Sequence, residues 1–136
     1  MFYLKKVGII FGGVSTEHDV SVVSGISVLN NINKEKYEVY PIYIDKEGKW
    51  YKYLGEAKDI KVGDKIDQLQ IIENIIEYLK NLDVVFPVMH GSFGEDGSIQ
   101  GFLEVLNIPY VGCRVLASSI GMDKAYTKII FEKARN

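Results

Sequence analysis

Apolar and polar positions change period several times along the chain, and each change marks an expected element. Residues 6–11 (KVGIIF) form a short β-branched run, apolar nearly throughout, which predicts a strand covered on both faces. Beyond Gly12-Gly13, apolar residues at Val20, Val23, Ile26 and Leu29 recur near a 3.6-residue period and predict a helix over 18–32. Thr16 followed by Asp19 supplies an expected capping pair for that helix. Gly25 within it marks an expected close contact, because glycine costs a helix about 1 kcal/mol against alanine. Residues 37–44 predict a second strand, 45–49 a turn, and 50–53 a returning hairpin arm. Residues 54–67 are polar and weakly patterned. Leu69, Ile72, Ile75, Ile76 and Leu79 make a helical stripe. Residues 83–89 predict a third strand whose ladder ends near Pro87. A helix over 99–106 follows, then a short fourth strand over 108–111 broken by Gly112. Residues 117–134 are helical, with two helices meeting near 121–123.

Strand and helix alternating in this way imply βαβ units, hence an α/β, Rossmann-like open parallel sheet with helices on both faces. Ligands of such sheets lie beyond the carboxyl ends of the strands. Two glycine loops fall at such ends, FGGVSTEHDVS and HGSFGEDGSIQG. The first lacks both the dinucleotide fingerprint and the P-loop pattern. It reads either as a helix start that favours an anion or carboxylate, or as a tight turn whose first-turn acids offset the helix dipole. The second is more specific. Gly91, Gly94 and Gly97 permit positive φ at three places, more than a minimal strand-to-helix turn requires. His90 stands at the strand end, where a ligand would be met, and reads as a ligand contact or as a satisfied hydrogen-bonding group. Glu95 and Asp96 precede the next helix, whose N-terminus stabilises carboxylates; capping is the first reading of Asp96.

Composition narrows the function class. A chain of 136 residues with 47% apolar and 25% charged positions is ordinary for one domain. A net charge of −2 argues against a nucleic-acid binder driven by bulk charge. No apolar run reaches the ~18 residues of a membrane span, and strand-like sequence follows the N-terminal residues without a signal-peptide core. Cys113 is the only cysteine; it offers no internal disulfide or C-x-x-C pair and fits a reducing, cytoplasmic compartment. His18 and His90 share no metal-ligand spacing, so no protein-only metal site is expected. With no G-x-S-x-G and no base near Cys113 in sequence, nucleophilic catalysis is not indicated, and Cys113 reads as a small buried hydrophobe.

Three segments in order, FGGVSTEHDVSVVSG, HGSFGEDGSIQG and PYVGCRVLASSIGMDK, resemble the N-terminal part of the D-alanine–D-alanine ligases, including their D-Ala–D-lactate and D-Ala–D-serine relatives. The resemblance extends over essentially the whole chain and is least distinctive over 45–80. It implies the pre-ATP-grasp form of the α/β fold and an ATP-dependent ligase that makes a dipeptide for peptidoglycan through an acyl phosphate. It implies ATP and Mg (or Mn) as cofactors, D-alanine as the small-molecule partner, no nucleic-acid or membrane partner, and a homodimer as the assembly common among relatives. By the same resemblance, Glu17 holds the ammonium of the first D-alanine and is the catalytic candidate. Val20 and Ser21 line that pocket, His90 orients the substrate, and Gly91 and its neighbours let main chain approach it. Lys124 reaches an ATP phosphate, while Glu95 and Asp96 hold the loop. Residues 1–120 are then the N-terminal substrate domain, and 121–136 begin a helix leading into the ATP-grasp region. The central and C-terminal regions of the family lie outside the 136 residues, so this chain is expected to fold but not to catalyse alone. Arg114 departs from the small or acidic residue usual in the family.

Overall fold

The computed structural model describes residues 3–135. Its centre is strand β1 (Lys5–Gly12), flanked by β2 (Tyr37–Ile44) and β5 (Val84–Pro87), both parallel to it. Side chains alternate across a strand. Val7, Ile9 and Phe11 therefore enter one core with Val22 and Leu29 of helix α1 (His18–Asn31), and Ile10 enters a second with Leu79, Val85 and Leu103. Two covered faces explain why the first run is apolar nearly throughout. The second face is covered by α2 (Ile75–Lys80) and α3 (Ser98–Val105), as helices on both faces require. Gly25 is the close contact expected of it: an added Cβ would stand 2.6 Å from Phe11 Cβ, so α1 rests almost directly on β1.

The sheet is mixed, not wholly parallel. Its order is β4-β3-β2-β1-β5, with β3 (Trp50–Tyr53) and β4 (Leu69–Ile71) added antiparallel at one edge. The predicted helical stripe over 69–79 therefore divides. Residues 69–71 satisfy the open backbone edge of β3, and α2 starts only after Asn74, whose side chain accepts a hydrogen bond from Glu77 N–H at 3.1 Å. The polar stretch before it holds a single 3-10 turn, Ala57–Asp59. The predicted fourth strand is reduced to one bridge between Val85 and Tyr110, since Pro109 has no N–H to extend the ladder. Two helices close the chain, α4 (Val115–Met122) and α5 (Lys124–Ala134), meeting at Asp123 as expected.

Candidate functional site

Glu17 is the N-cap residue of α1 but makes no capping bond with its side chain. The expected Thr16–Asp19 pair does not form; Ser15 Oγ instead accepts the Glu17 N–H at 3.0 Å. The Glu17 carboxylate, left free of its own helix, lies against Gly91. A Cβ at position 91 would overlap both this carboxylate and Ser15 Oγ, and Gly91 also has φ +72. Glycine at 91 is thus required twice, by backbone conformation and by space.

His90 is held on both ring nitrogens. Nδ1 lies 3.2 Å from Glu95 Oε1 and Nε2 2.8 Å from Ser24 Oγ. A carboxylate only accepts, so Nδ1 carries the proton, and in the neutral ring Nε2 accepts from the Ser24 hydroxyl. Glu95 also accepts the Gly91 N–H at 2.8 Å through its other oxygen. Ser24 lies about two helical turns beyond Glu17 and hence on the same face of α1. The structure therefore brings Glu17, Gly91 and His90 together over one face of one helix.

The other expected site residues take different places. Val20, one turn beyond Glu17, is half exposed on the helix surface. Ser21 does not line a pocket: it is fully buried, accepts the Gly12 N–H at 2.9 Å and donates to Val88 O at 2.6 Å. Its hydroxyl clasps the tips of β1 and β5 and so sets the spacing of the two loops. Lys124 heads α5, exposed, and no hydrogen bond or ion pair among the described residues joins it to Glu17 or His90. Arg114 lies 3.4 Å from Glu104, an exposed pair. Cys113 is an exposed free thiol, not the buried hydrophobe expected from sequence, because the chain turns away from the sheet at Gly112.

Sequence reasoning missed three supports of this cluster. Ser24 was signalled only by a polar residue at helical spacing from Glu17 and Ser21. His18 is buried, donates from Nδ1 to Gly13 O at 2.6 Å, and accepts from the Tyr43 hydroxyl at 3.1 Å. Burial, then the nearby Asp45 and Asp19, pushes the Tyr43 hydroxyl up to about 12, which keeps it a donor. Gln100 is the third, and its place is described below.

Asp96 caps α3 by accepting the N–H of Ser98 and also binds the N–H of Phe93, both at 3.0 Å. Burial alone would raise its carboxyl, but these N–H donors outweigh burial and hold it below its ordinary value. Among the described residues no group of three or more His, Cys, Asp or Glu side chains is placed to share a metal ion. An apolar cleft of about 380 Å³, lined by Gly13, Met89, Phe93 and Phe102 among others, flanks the loop. Neither Glu17 nor His90 lines this cleft; Glu17 is exposed and the His90 side chain one-third exposed.

The family model described as D-ala D-ala ligase N-terminus matches residues 6–113. The chain belongs to this family. It is 53% identical over 131 residues to a D-alanine–D-alanine ligase of Clostridium novyi (strain NT), a match covering 94% of this chain and 38% of that protein. Among solved structures, the VanG D-Ala:D-Ser ligase of Enterococcus faecalis superposes with a TM-score of 0.84 at 37% identity, covering 97% of this chain and 42% of that one. A Bacillus anthracis D-alanine–D-alanine ligase complexed with ATP gives 0.67 at 36% identity, covering 96% and 36%. The chain spans about two-fifths of the length of such relatives. Within this ligase N-terminal domain the matched span contains Glu17, Val20, Ser21, His90 and Gly91, whereas Lys124 lies beyond it.

Proposed function

We propose that this chain is the first-substrate-binding part of an ATP-dependent D-alanine–D-alanine ligase. The observation that carries the reading is the uncapped Glu17 carboxylate resting on Gly91, one residue from a histidine held by Glu95 and Ser24. A carboxylate not engaged by its own helix is suited to the ammonium of a small amino acid through charge-assisted hydrogen bonds. Val20, exposed one turn away, offers an apolar contact for a methyl-sized side chain. His90, oriented by two partners, lies beside the same substrate and helps to align it. Residues 1–120 form the substrate domain in this reading, and 121–136 lead towards the nucleotide-binding region.

ATP would supply the phosphoryl group that activates the first carboxylate, after which an incoming amine displaces phosphate. In this reading Lys124, exposed at the head of α5, would reach an ATP phosphate as a point charge. Mg²⁺ would neutralise the ATP phosphates and be held mainly by parts of the ligase outside these 136 residues, as the described residues group no three metal-ligating side chains. A cytoplasmic location accords with the exposed free thiol of Cys113. The homodimer common among relatives is checked by light scattering on the complete protein.

The test is dipeptide synthesis and ATP hydrolysis by the complete protein, with D-alanine, D-serine and D-lactate as acceptors. Glu17→Gln should lower kcat/KM for the first D-alanine by roughly a hundredfold, the scale of a lost charge-assisted bond of about 3 kcal/mol. Normal turnover by that variant would remove Glu17 from the site.

A further inference from the structure

Gln100 is the one buried polar side chain of the second glycine loop whose use the site description leaves open. It lies on α3 with 8% of its surface exposed. Its Nε2 donates to Gly94 O at 3.0 Å, while its Oε1 is buried without a partner among the described residues. A buried amide oxygen without a partner works against folding, so the value of this side chain lies in what its nitrogen holds. Gly94 is where the loop doubles back on the strand end: a Cβ there would stand 2.6 Å from Met89 Cβ and 3.2 Å from His90 N.

The Gly94 carbonyl and the Glu95 N–H belong to one planar peptide unit. Gln100 holds its oxygen, and Gly91 O accepts its N–H at 3.0 Å. Fixed at both ends, this peptide sets the origin of the Glu95 side chain, which spans His90 Nδ1 and the Gly91 N–H. We propose that Gln100 is a positioning residue for first-substrate binding: by clamping the Gly94–Glu95 peptide it aims Glu95 at His90. This rests on the reading of Glu17 and His90 as the first-substrate site.

The experiment uses the complete protein with Gln100→Met, a substitution close in size that removes both the donor and the unpartnered oxygen. The thermal midpoint should stay within a few degrees of the parent and KM for ATP within twofold, while KM for the first D-alanine rises roughly tenfold. Glu95→Gln should raise it similarly, and the double variant should be no worse than the stronger single one, since both changes act on one contact. An unchanged first-substrate KM in Gln100→Met, or additive losses in the double variant, overturns the proposal. A second readout needs no substrate: the ¹⁵N spectrum of His90 should show the Nδ1–H tautomer in the parent and a mixture in Gln100→Met. An unaltered tautomer overturns the clamp. If Glu17→Gln leaves first-substrate KM unchanged, the site reading fails instead, and the His90 spectrum still judges the clamp. Gln100→Leu takes the place of the methionine variant should that protein not fold.

Discussion

Replacing Gly91 by alanine puts a methyl group where the Glu17 carboxylate and Ser15 Oγ already lie, on a backbone with φ +72. Two costs are superposed, and the structure contains a position that separates them. Gly63 has φ +84 but nothing within 4 Å of an added Cβ. Gly63→Ala therefore reports conformational strain alone, about 1–2 kcal/mol for an L-residue in the left-handed region, offset by up to about 1 kcal/mol because the unfolded chain is stiffened. Gly91→Ala carries the same balance and adds the displacement of a carboxylate and a hydroxyl, for a total of about 2–3 kcal/mol. Urea denaturation of the two variants side by side isolates the steric part. The same displacement moves Glu17, so in the complete protein Gly91→Ala should raise KM for the first D-alanine roughly tenfold or more, the effect of about 1.4 kcal/mol in binding. Gly63→Ala should leave that KM unchanged. Equal stability losses in the two variants, together with unchanged KM in Gly91→Ala, would refute the argument that Glu17 and Gly91 share one crowded site.

Two further outcomes follow from the supports of the site. Ser21→Ala leaves the Gly12 N–H and the Val88 carbonyl without their shared partner, and should cost about 2–4 kcal/mol in urea denaturation; a loss under about 0.5 kcal/mol would show that Ser21 does not clasp the strand tips. The lowered carboxyl of Asp96 gives a pH dependence of defined sign: its contribution is complete above its unfolded value of about 4 and is lost as pH falls through the lower folded value. Amide exchange at Phe93 and Ser98 should quicken relative to the rest of the chain across that acid window, and Asp96→Asn should abolish the transition; an identical acid limb in the variant would assign it to another group.

Much of the architecture was legible in the residues. The apolar run of β1, the presence of helix α1, the hairpin arm at β3 and the stop at Pro87 read correctly, because each is a local pattern with a local cause. The apolar stripe expected on α1 did not, since Val20 and Val23 are half exposed and His18, Ser21, Val22, Gly25 and Leu29 form the buried face. Gly25 was legible too, since a glycine in mid-helix needs a packing reason and Phe11 supplies it. Errors arose where a local pattern had two solutions. Leu69–Ile71 fits a helical stripe and an edge strand equally well, and the open edge of β3 decides between them. Residues 108–111 look like a strand, yet only one bridge forms.

The site divides along the same line. Sequence pattern marked His90 and the glycines from Gly91 to Gly97, because a glycine loop and a histidine at a strand end are visible in one dimension, whereas Glu17, Val20 and Ser21 were marked only through the resemblance to the ligase N-termini. Only the tertiary structure decided what each does. It turned Ser21 inward as a clasp, left Glu17 free of its helix, and supplied Ser24 and Gln100 as the holders of His90 and its loop. The physical reason is distance along the chain. Ser21 meets Val88, and Ser24 meets His90, across more than sixty residues, so those partnerships exist only once β1 and β5 lie side by side beneath α1.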